Sequence, residues 1–298
     1  MSNDFSQKFN INKSVCIGVL GSARTGSSYL FSSLKETMGG NMVELGELFN
    51  PWISYERFII DKGIKWWIAD DDILESLCRK TKTRGPNTML SALRKNPSDA
   101  LRYVMDSCES VFGKKIFMVK IFDQHISDDS VGDVIDNLDG ILYTKRNFFD
   151  SYISFKVAQH LNEWAFVDTS KTKINIDYDD LMWTYNTRAS WERRIRETRK
   201  PVEIIEYDSF HEESRSEMQK SVELFDIFCN MCGLSKAERD YQKLEKAIQL
   251  AIDKGEILNK QNKNKNILDS IEDEYREEFK KFMERWEYDA RCLREITK

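Results

Sequence analysis

A nearly unbroken apolar run, Ser14–Leu20 (S-V-C-I-G-V-L), stops at Gly21 and gives way, across one short polar turn, to a segment of helical character over Tyr29–Met38. Apolar residues without alternation are what a strand covered on both faces requires. Gly39 and Gly40 then end the helix. Strand, Gly-bearing turn and helix together open a βα unit whose helix N-terminus can face an anion, which commits the chain to the α/β class. Within the turn, G-S-A-R-T-G-S-S at 21–28 keeps the G-x-x-x-x-G spacing of a P-loop, yet Ser27 stands where a nucleoside-triphosphate loop carries Lys. A triphosphate needs that Lys, with Mg²⁺ beside it, to offset charge on its terminal phosphates. A loop without it suits a less highly charged anion, held by the backbone N–H groups of Thr25, Gly26, Ser27 and Ser28 and the guanidinium of Arg24.

Further strands are expected at Lys115–Ile121, Gly140–Thr144 and Val202–Glu206, separated by helical segments near 87–110, 130–138, 147–162 and 178–198. Alternation of this kind implies a three-layer α/β fold, a P-loop-like and mainly parallel sheet flanked by helices. From about Glu213 the chain reads as helical, interrupted by the Asn/Lys-rich Q-N-K-N-K-N at 261–266, a loop by composition. The 298 residues hold only 13 Gly and 4 Pro and no linker-like cluster of them. One domain over 1–298 is therefore expected, with a core over about 14–235 and a helical C-terminal elaboration over about 236–298.

A net charge of −5 with interspersed signs provides no global basic field, so nucleic acid is not an expected partner. No run of about 18 apolar residues exists, and M-S-N-D-F-S-Q-K-F-N lacks the apolar stretch of a signal peptide, which places the expected location in the cytoplasm with no membrane span. Cys16, Cys78, Cys108, Cys229, Cys232 and Cys292 are expected to be reduced there. The C-x-x-C of Cys229 and Cys232 sits in S-V-E-L-F-D-I-F-C-N-M-C-G-L without a second ligand pair and reads as core thiols, and His125, His160 and His211 are scattered, so no metal site is expected. The expected partner is a small molecule, and a homodimer is allowed.

A second anion-binding signal is T-K-R-N-F-F-D-S-Y-I-S-F, Thr144–Phe155, where a strand passes into a helix. Arg146 leaves the strand and Ser154 follows two helical turns later, at the carboxyl end of the sheet, where open α/β sheets bind ligands. R-T-G-S-S-Y-L resembles the 5′-phosphosulfate loop of sulfotransferases that use 3′-phosphoadenosine 5′-phosphosulfate (PAPS), and R-N-F-F-D-S-Y-I-S-F resembles their 3′-phosphate motif, Arg followed eight positions later by Ser, with Asp150 also matching. The likeness is strongest to the bacterial trehalose sulfotransferase-like branch and extends over roughly 14–235. E-L-F-N-P at Glu47–Pro51, A-Q-H-L-N-E-W at Ala158–Trp164, and W-E-R-R-I followed by V-E-I-I-E-Y-D-S-F are similar to further segments of that branch. The resemblance implies sulfuryl transfer from PAPS to a hydroxyl of a small acceptor, a carbohydrate or glycolipid, with PAP as product and no metal. The chain departs from the pattern at Asp208 and Ser209, which replace a Glu-Asp pair, and lacks the C-terminal G-x-x-G-x-x-K of animal enzymes; Lys260, Lys263 and Lys265 are the alternatives on that side, with a solvated charge run as the plainer reading. A P-loop kinase-like phosphotransferase and a non-catalytic nucleotide-binding protein are the competing functional classes.

Transfer to an alcohol requires a group that removes the hydroxyl proton. Glu47, which follows M-V-E-L-G, is the first candidate and matches the Glu of the trehalose branch; Glu44, three residues earlier, competes with it. His125, in K-I-F-D-Q-H, is the other alternative, three residues beyond the position of the His of animal enzymes. Lys120, at the end of the same strand, is placed to stabilise charge on the transferring group. Trp52, Tyr55, Trp66 and Trp67 follow Glu47 and suit either a sugar or apolar aglycone or ordinary core packing.

Overall fold

All seven residues of Val15–Gly21 (β1) are buried, as a strand covered on both faces demands. The structure is a computed structural model and describes residues 13–56, 70–162, 172–210, 215–235, 239, 241–253 and 270–296. Trp66, Trp67, Trp164, His211, Lys260, Lys263, Lys265 and the Asn/Lys-rich stretch lie outside the described residues, as does the side chain of Cys292.

Helix α1 (Ser27–Met38) follows the Gly-bearing turn, and after a short 3₁₀ turn the chain enters β2 (Met42–Gly46). Helices α2 (Asp71–Thr81), α3 (Pro86–Lys95) and α4 (Pro97–Phe112) lead to β3 (Ile116–Phe122). Then come α5 (Asp128–Asp136), β4 (Gly140–Lys145), α6 (Phe148–Leu161), α7 (Tyr178–Glu197) and β5 (Val202–Glu206). A single turn of helix, α8 (Tyr207–Phe210), precedes α9 (Glu217–Met231), α10 (Tyr241–Asp253) and α11 (Asp273–Ile296). Among the described residues no helix is long and apolar enough to cross a membrane.

The five strands form one all-parallel sheet in the order β2-β3-β1-β4-β5. From β1 the chain steps out to the edge strand β2, returns to β3 beside β1, and crosses to β4 on the other side. Because the pairing is parallel and in register, with Gly21 opposite Phe122 and Thr144, the carboxyl ends of neighbouring strands meet along one rim. Side chains alternate between faces. Cys16, Leu20, Phe117, Val119, Ile121, Ile141 and Tyr143 belong to the core that includes residues of α2 to α5 and Trp191 and Ile195 of α7. Val15, Ile17, Val19, Ile116, Met118 and Leu142 pack with α1, α9 and α10. The result is the expected three-layer α/β fold.

Two compact units are distinguished, Met1–Arg146 with Thr187–Asn259, and Asn147–Asn186 with Lys260–Lys298. The first holds the whole sheet. The second has its own core, in which Phe149, Tyr152, Ile153, Val157 and Leu181 pack with Ile271 and Phe279.

Two elements differ from the sequence expectation. The segment Met42–Gly46 is a strand, although it is short and carries Glu44; it is an edge strand, and a register irregularity between Glu44 and Gly46 loosens its pairing. The single helical segment expected near 87–110 is two helices. Asn96, at φ −128° and ψ 69°, cannot take helical dihedrals beside Pro97, so α3 ends there and Pro97 begins α4.

Leu34, fully buried in the core that joins α1 to β1 and α9, sets the position of α1 on the sheet. Leu34→Ala is expected to lower the unfolding free energy by about 2–5 kcal/mol. Urea denaturation checks this, the midpoint falling while the slope stays constant.

Candidate functional site

The segments that leave β1, β2, β3 and β4 at the carboxyl rim each carry candidate residues. After β1 the backbone turns through Arg24 at φ 67° and Gly26 at φ 90°. A side chain is also excluded at Gly26 by contact, since an added Cβ would lie 2.6 Å from Cδ2 of Tyr207. The Thr25 hydroxyl is 2.7 Å from both Ser22 O and Thr144 Oγ1, so it closes the turn against β4. Ser27 is buried as well. What remains to face a ligand is the backbone N–H groups of the first turn of α1, the Arg24 guanidinium and the exposed Ser28. The helix starting at Ser27, two residues before the expected Tyr29, is what brings these N–H groups to the rim.

Arg146, just beyond β4, donates from Nη1 to Arg24 O at 3.1 Å, and its guanidinium lies 4.4 Å over the Tyr207 ring. Its Nε is buried with no hydrogen-bond partner among the described residues. Burial, and then the charge of Arg146, pull Arg24 below the usual guanidinium range. Two guanidiniums that repel each other beside a helix N-terminus are stabilised by an anion between them. Ser154 lies on α6, in the second unit, and its pairing with Arg146 rests on the sequence motif alone. Asp150 is in the first turn of α6, where Asn147 caps the helix, and a helix-terminal charge accounts for it.

Lys120 and Glu47 form the densest contact of the rim. Lys120 Nζ is 2.8 Å from Glu47 Oε1 and donates to Ser28 Oγ at 2.9 Å, with the Phe122 ring 4.7 Å away. Asn50 donates to Glu47 Oε2 at 2.7 Å, and His125 Nε2 is 3.8 Å from the same oxygen. Burial pushes the Glu47 carboxyl up, but the charge and hydrogen bond of Lys120, with His125 and Asn50, hold it below the usual carboxylate range. His125 is pushed down to about 4, chiefly by burial, with Lys120 and Arg94 adding to it against the opposing pull of Glu47. Its Nδ1 accepts the Phe122 N–H at 3.2 Å, so the neutral ring carries its proton on Nε2, the nitrogen nearest Glu47. Glu44 is elsewhere: it pairs with Lys35 of α1 at 3.6 Å, and burial raises its carboxyl. Trp52 is 65% exposed, with its ring 6.3 Å from that of His125.

Sequence reasoning passed over four neighbours. Tyr207 and Asp123 stand in segments that it quoted, V-E-I-I-E-Y-D-S-F and K-I-F-D-Q-H, but nothing local marks the ring that stacks on Arg146 or the carboxylate that accepts the Ser22 hydroxyl at 2.6 Å. Asn50 and Arg188 were also missed; Arg188 is buried and donates to Arg146 O. Among the described residues no group of three His, Cys, Asp or Glu side chains could hold a metal ion. Cys229 and Cys232 are free and buried, and burial pushes both thiols up, away from a reactive thiolate.

No family model and no curated protein matches the sequence. Among solved structures, 15 chains are similar. One is the sulfotransferase domain from the Synechococcus PCC 7002 olefin synthase, 12% identical, with a TM-score of 0.41 over 88% of this chain and 87% of that one. At that depth the likeness assigns neither activity nor residues here.

Removing the charge at Lys120 leaves burial as the main influence on Glu47. In Lys120→Met the Glu47 carboxyl should therefore titrate above the ordinary Glu value of about 4.3 instead of below it. NMR of ¹³C-labelled Glu carboxyls, with Glu47→Gln to assign the signal, measures the change.

Proposed function

We propose that the chain is a sulfotransferase that moves a sulfuryl group from PAPS to a hydroxyl of a small acceptor. One observation carries the reading: a single ammonium, Lys120 Nζ, touches the carboxylate of Glu47 on one side and the Ser28 hydroxyl of the anion-binding turn on the other. A proton acceptor and a leaving-group site are thereby held within one side chain of each other. A helix N-terminus with Arg24, and no ammonium at position 27, supports a phosphosulfate in preference to a triphosphate. Arg146 supports a second phosphate on the same ligand, with Ser154 as its partner in the motif.

PAPS, when bound, supplies the electrophilic sulfur and a phosphate leaving group. Glu47 takes the hydroxyl proton as the acceptor oxygen bonds to sulfur, while the bond from sulfur to the 5′-phosphate oxygen breaks. Lys120 and Arg24 are placed to offset the charge that grows on the departing phosphate. Glu47 is ionised at neutral pH, as a proton acceptor must be. His125 presents a protonated Nε2 toward it, so it serves better as a brace than as the base. The acceptor class, a carbohydrate or glycolipid hydroxyl, is carried by the family resemblance, and the exposed Trp52 ring beside His125 offers a stacking face that suits it. We take residues 1–298 to work as one sulfotransferase domain.

Calorimetry should show PAP binding more tightly than 5′-AMP, and Arg146→Ala should remove the difference; equal affinities for the two nucleotides in the unaltered chain would refute a 3′-phosphate site.

Glu47→Gln should leave PAP affinity near that of the unaltered chain while lowering kcat about 10²–10⁴-fold. Steady-state assays with isotope-labelled PAPS and a panel of sugars, with Glu44→Gln and His125→Ala alongside, measure this. If His125→Ala or Glu44→Gln collapses kcat while Glu47→Gln does not, the base has been misassigned.

A further inference from the structure

Asp123 is the first residue after β3, at the rim, and is 5% exposed. Its Oδ2 accepts the Ser22 hydroxyl at 2.6 Å, and its own N–H donates to Gly21 O at 3.2 Å, so both contacts fasten the start of the anion-binding turn. Its Oδ1 is buried with no hydrogen-bond partner among the described residues. A buried carboxylate with one oxygen outside hydrogen-bond geometry is costly even with the Gln124 and Asp123 N–H groups acting on it, and one placed behind a turn built for anions also repels the ligand. A simple tether for Ser22 needs no charge, since the amide oxygen of Asn accepts the same hydroxyl. The charge at this position calls for a role that an amide would not fill.

We propose that Asp123 is a positioning residue that links the hold on the anion-binding turn to a proton: when a dianion seats on residues 22–28, the carboxylate takes a proton from solvent on Oδ1 and keeps its contact with Ser22. This inference rests on reading that turn as the anion site. The groups that face Asp123 fit the assignment. Arg188 of α7 acts on it with a positive charge but is engaged with Arg146 O and Glu192, and Tyr143 of β4 donates to Glu192. On its own segment, Lys120 is paired with Glu47 and His125 is neutral, and neither contacts it. Burial pushes the Asp123 carboxyl up to about 6 in the free protein, against the opposing pull of the Ser22 hydroxyl, the Arg188 charge and the N–H groups of Gln124 and Asp123. A bound anion disfavours the ionised form further, so the complex holds more protons than the free protein at pH values above about 6. Affinity for the anion must then rise as pH falls toward about 6 and level off below it.

Inorganic sulfate is the probe, because its charge does not change over this range. Calorimetry on the full chain between about pH 6 and pH 8.5 should show sulfate binding strengthen about tenfold toward the acid end. Asp123→Asn should bind sulfate at pH 8.5 about as tightly as the unaltered chain does at pH 6, with no slope. A flat profile for the unaltered chain, or an unchanged slope in Asp123→Asn, overturns the proposal. Should that variant fail to fold, titrations of the unaltered chain at pH 7 in two buffers of different ionisation enthalpy decide it: proton uptake on binding supports the proposal, and none overturns it. Arg24→Ala separates the two readings, since sulfate binding that survives this change lies away from the turn and removes the anion-site reading itself, whatever the slope.

Discussion

The parallel pairing of β1 with β3 on one side and β4 on the other is the constraint on which the site depends. It sets Gly21 level with Phe122 and Thr144, so the turn after β1 is flanked by the ends of both neighbours. Thr25 then reaches Thr144 from one side of the turn, and Ser22 reaches Asp123 on the other. A shift of one residue in either pairing would move Thr144 or Asp123 out of reach of the turn and break those contacts. The buried cores on both faces resist such a shift, because it would also expose the apolar residues that alternate between them.

That dependence explains which parts of the site were legible in the sequence. The turn at 21–28 and its flanking strand and helix are contiguous, and an uninterrupted apolar run followed by Gly and a polar turn marks them locally. Four strands, the three-layer arrangement and most helices follow from the same kind of pattern. β2 does not: five residues containing a Glu and closing on a Gly at positive φ carry little strand signal, and its pairing with β3 is long-range. Which carboxylate meets Lys120 is equally hidden. Glu44 and Glu47 are three residues apart, and only the bend after β2 sends one toward α1 and the other toward the rim. Tyr207 and Asp123 have roles only through partners more than 60 residues distant, which no local pattern encodes.

The contacts at the rim are not arranged for stability. Arg24 and Arg146 repel each other, Asp123 has an oxygen outside hydrogen-bond geometry, and Arg24 holds a positive φ. Each of these raises the energy of the free protein, and an anion on the turn relieves the first directly. By contrast the Lys120–Glu47 pair is satisfied on both sides, through Ser28 and Asn50, and gives the site a rigid reference point. A rigid pair beside a strained turn is the arrangement expected where ligand binding energy is used to complete a site rather than to stabilise the fold.

The chain as a whole carries −5, and a long-range field of that sign repels anions. Attraction must therefore come from groups within a few ångströms, where screening is least effective. At the rim Arg24, Arg146 and Lys120 face the carboxylates Glu47 and Asp123, which leaves a small local positive excess. Protonation of Asp123 enlarges that excess by one charge at the moment an anion arrives, without moving any backbone atom. A site so balanced stays close to neutral when empty, which limits the cost of burying its cations, and becomes strongly attractive only to a ligand that brings its own negative charge to the turn.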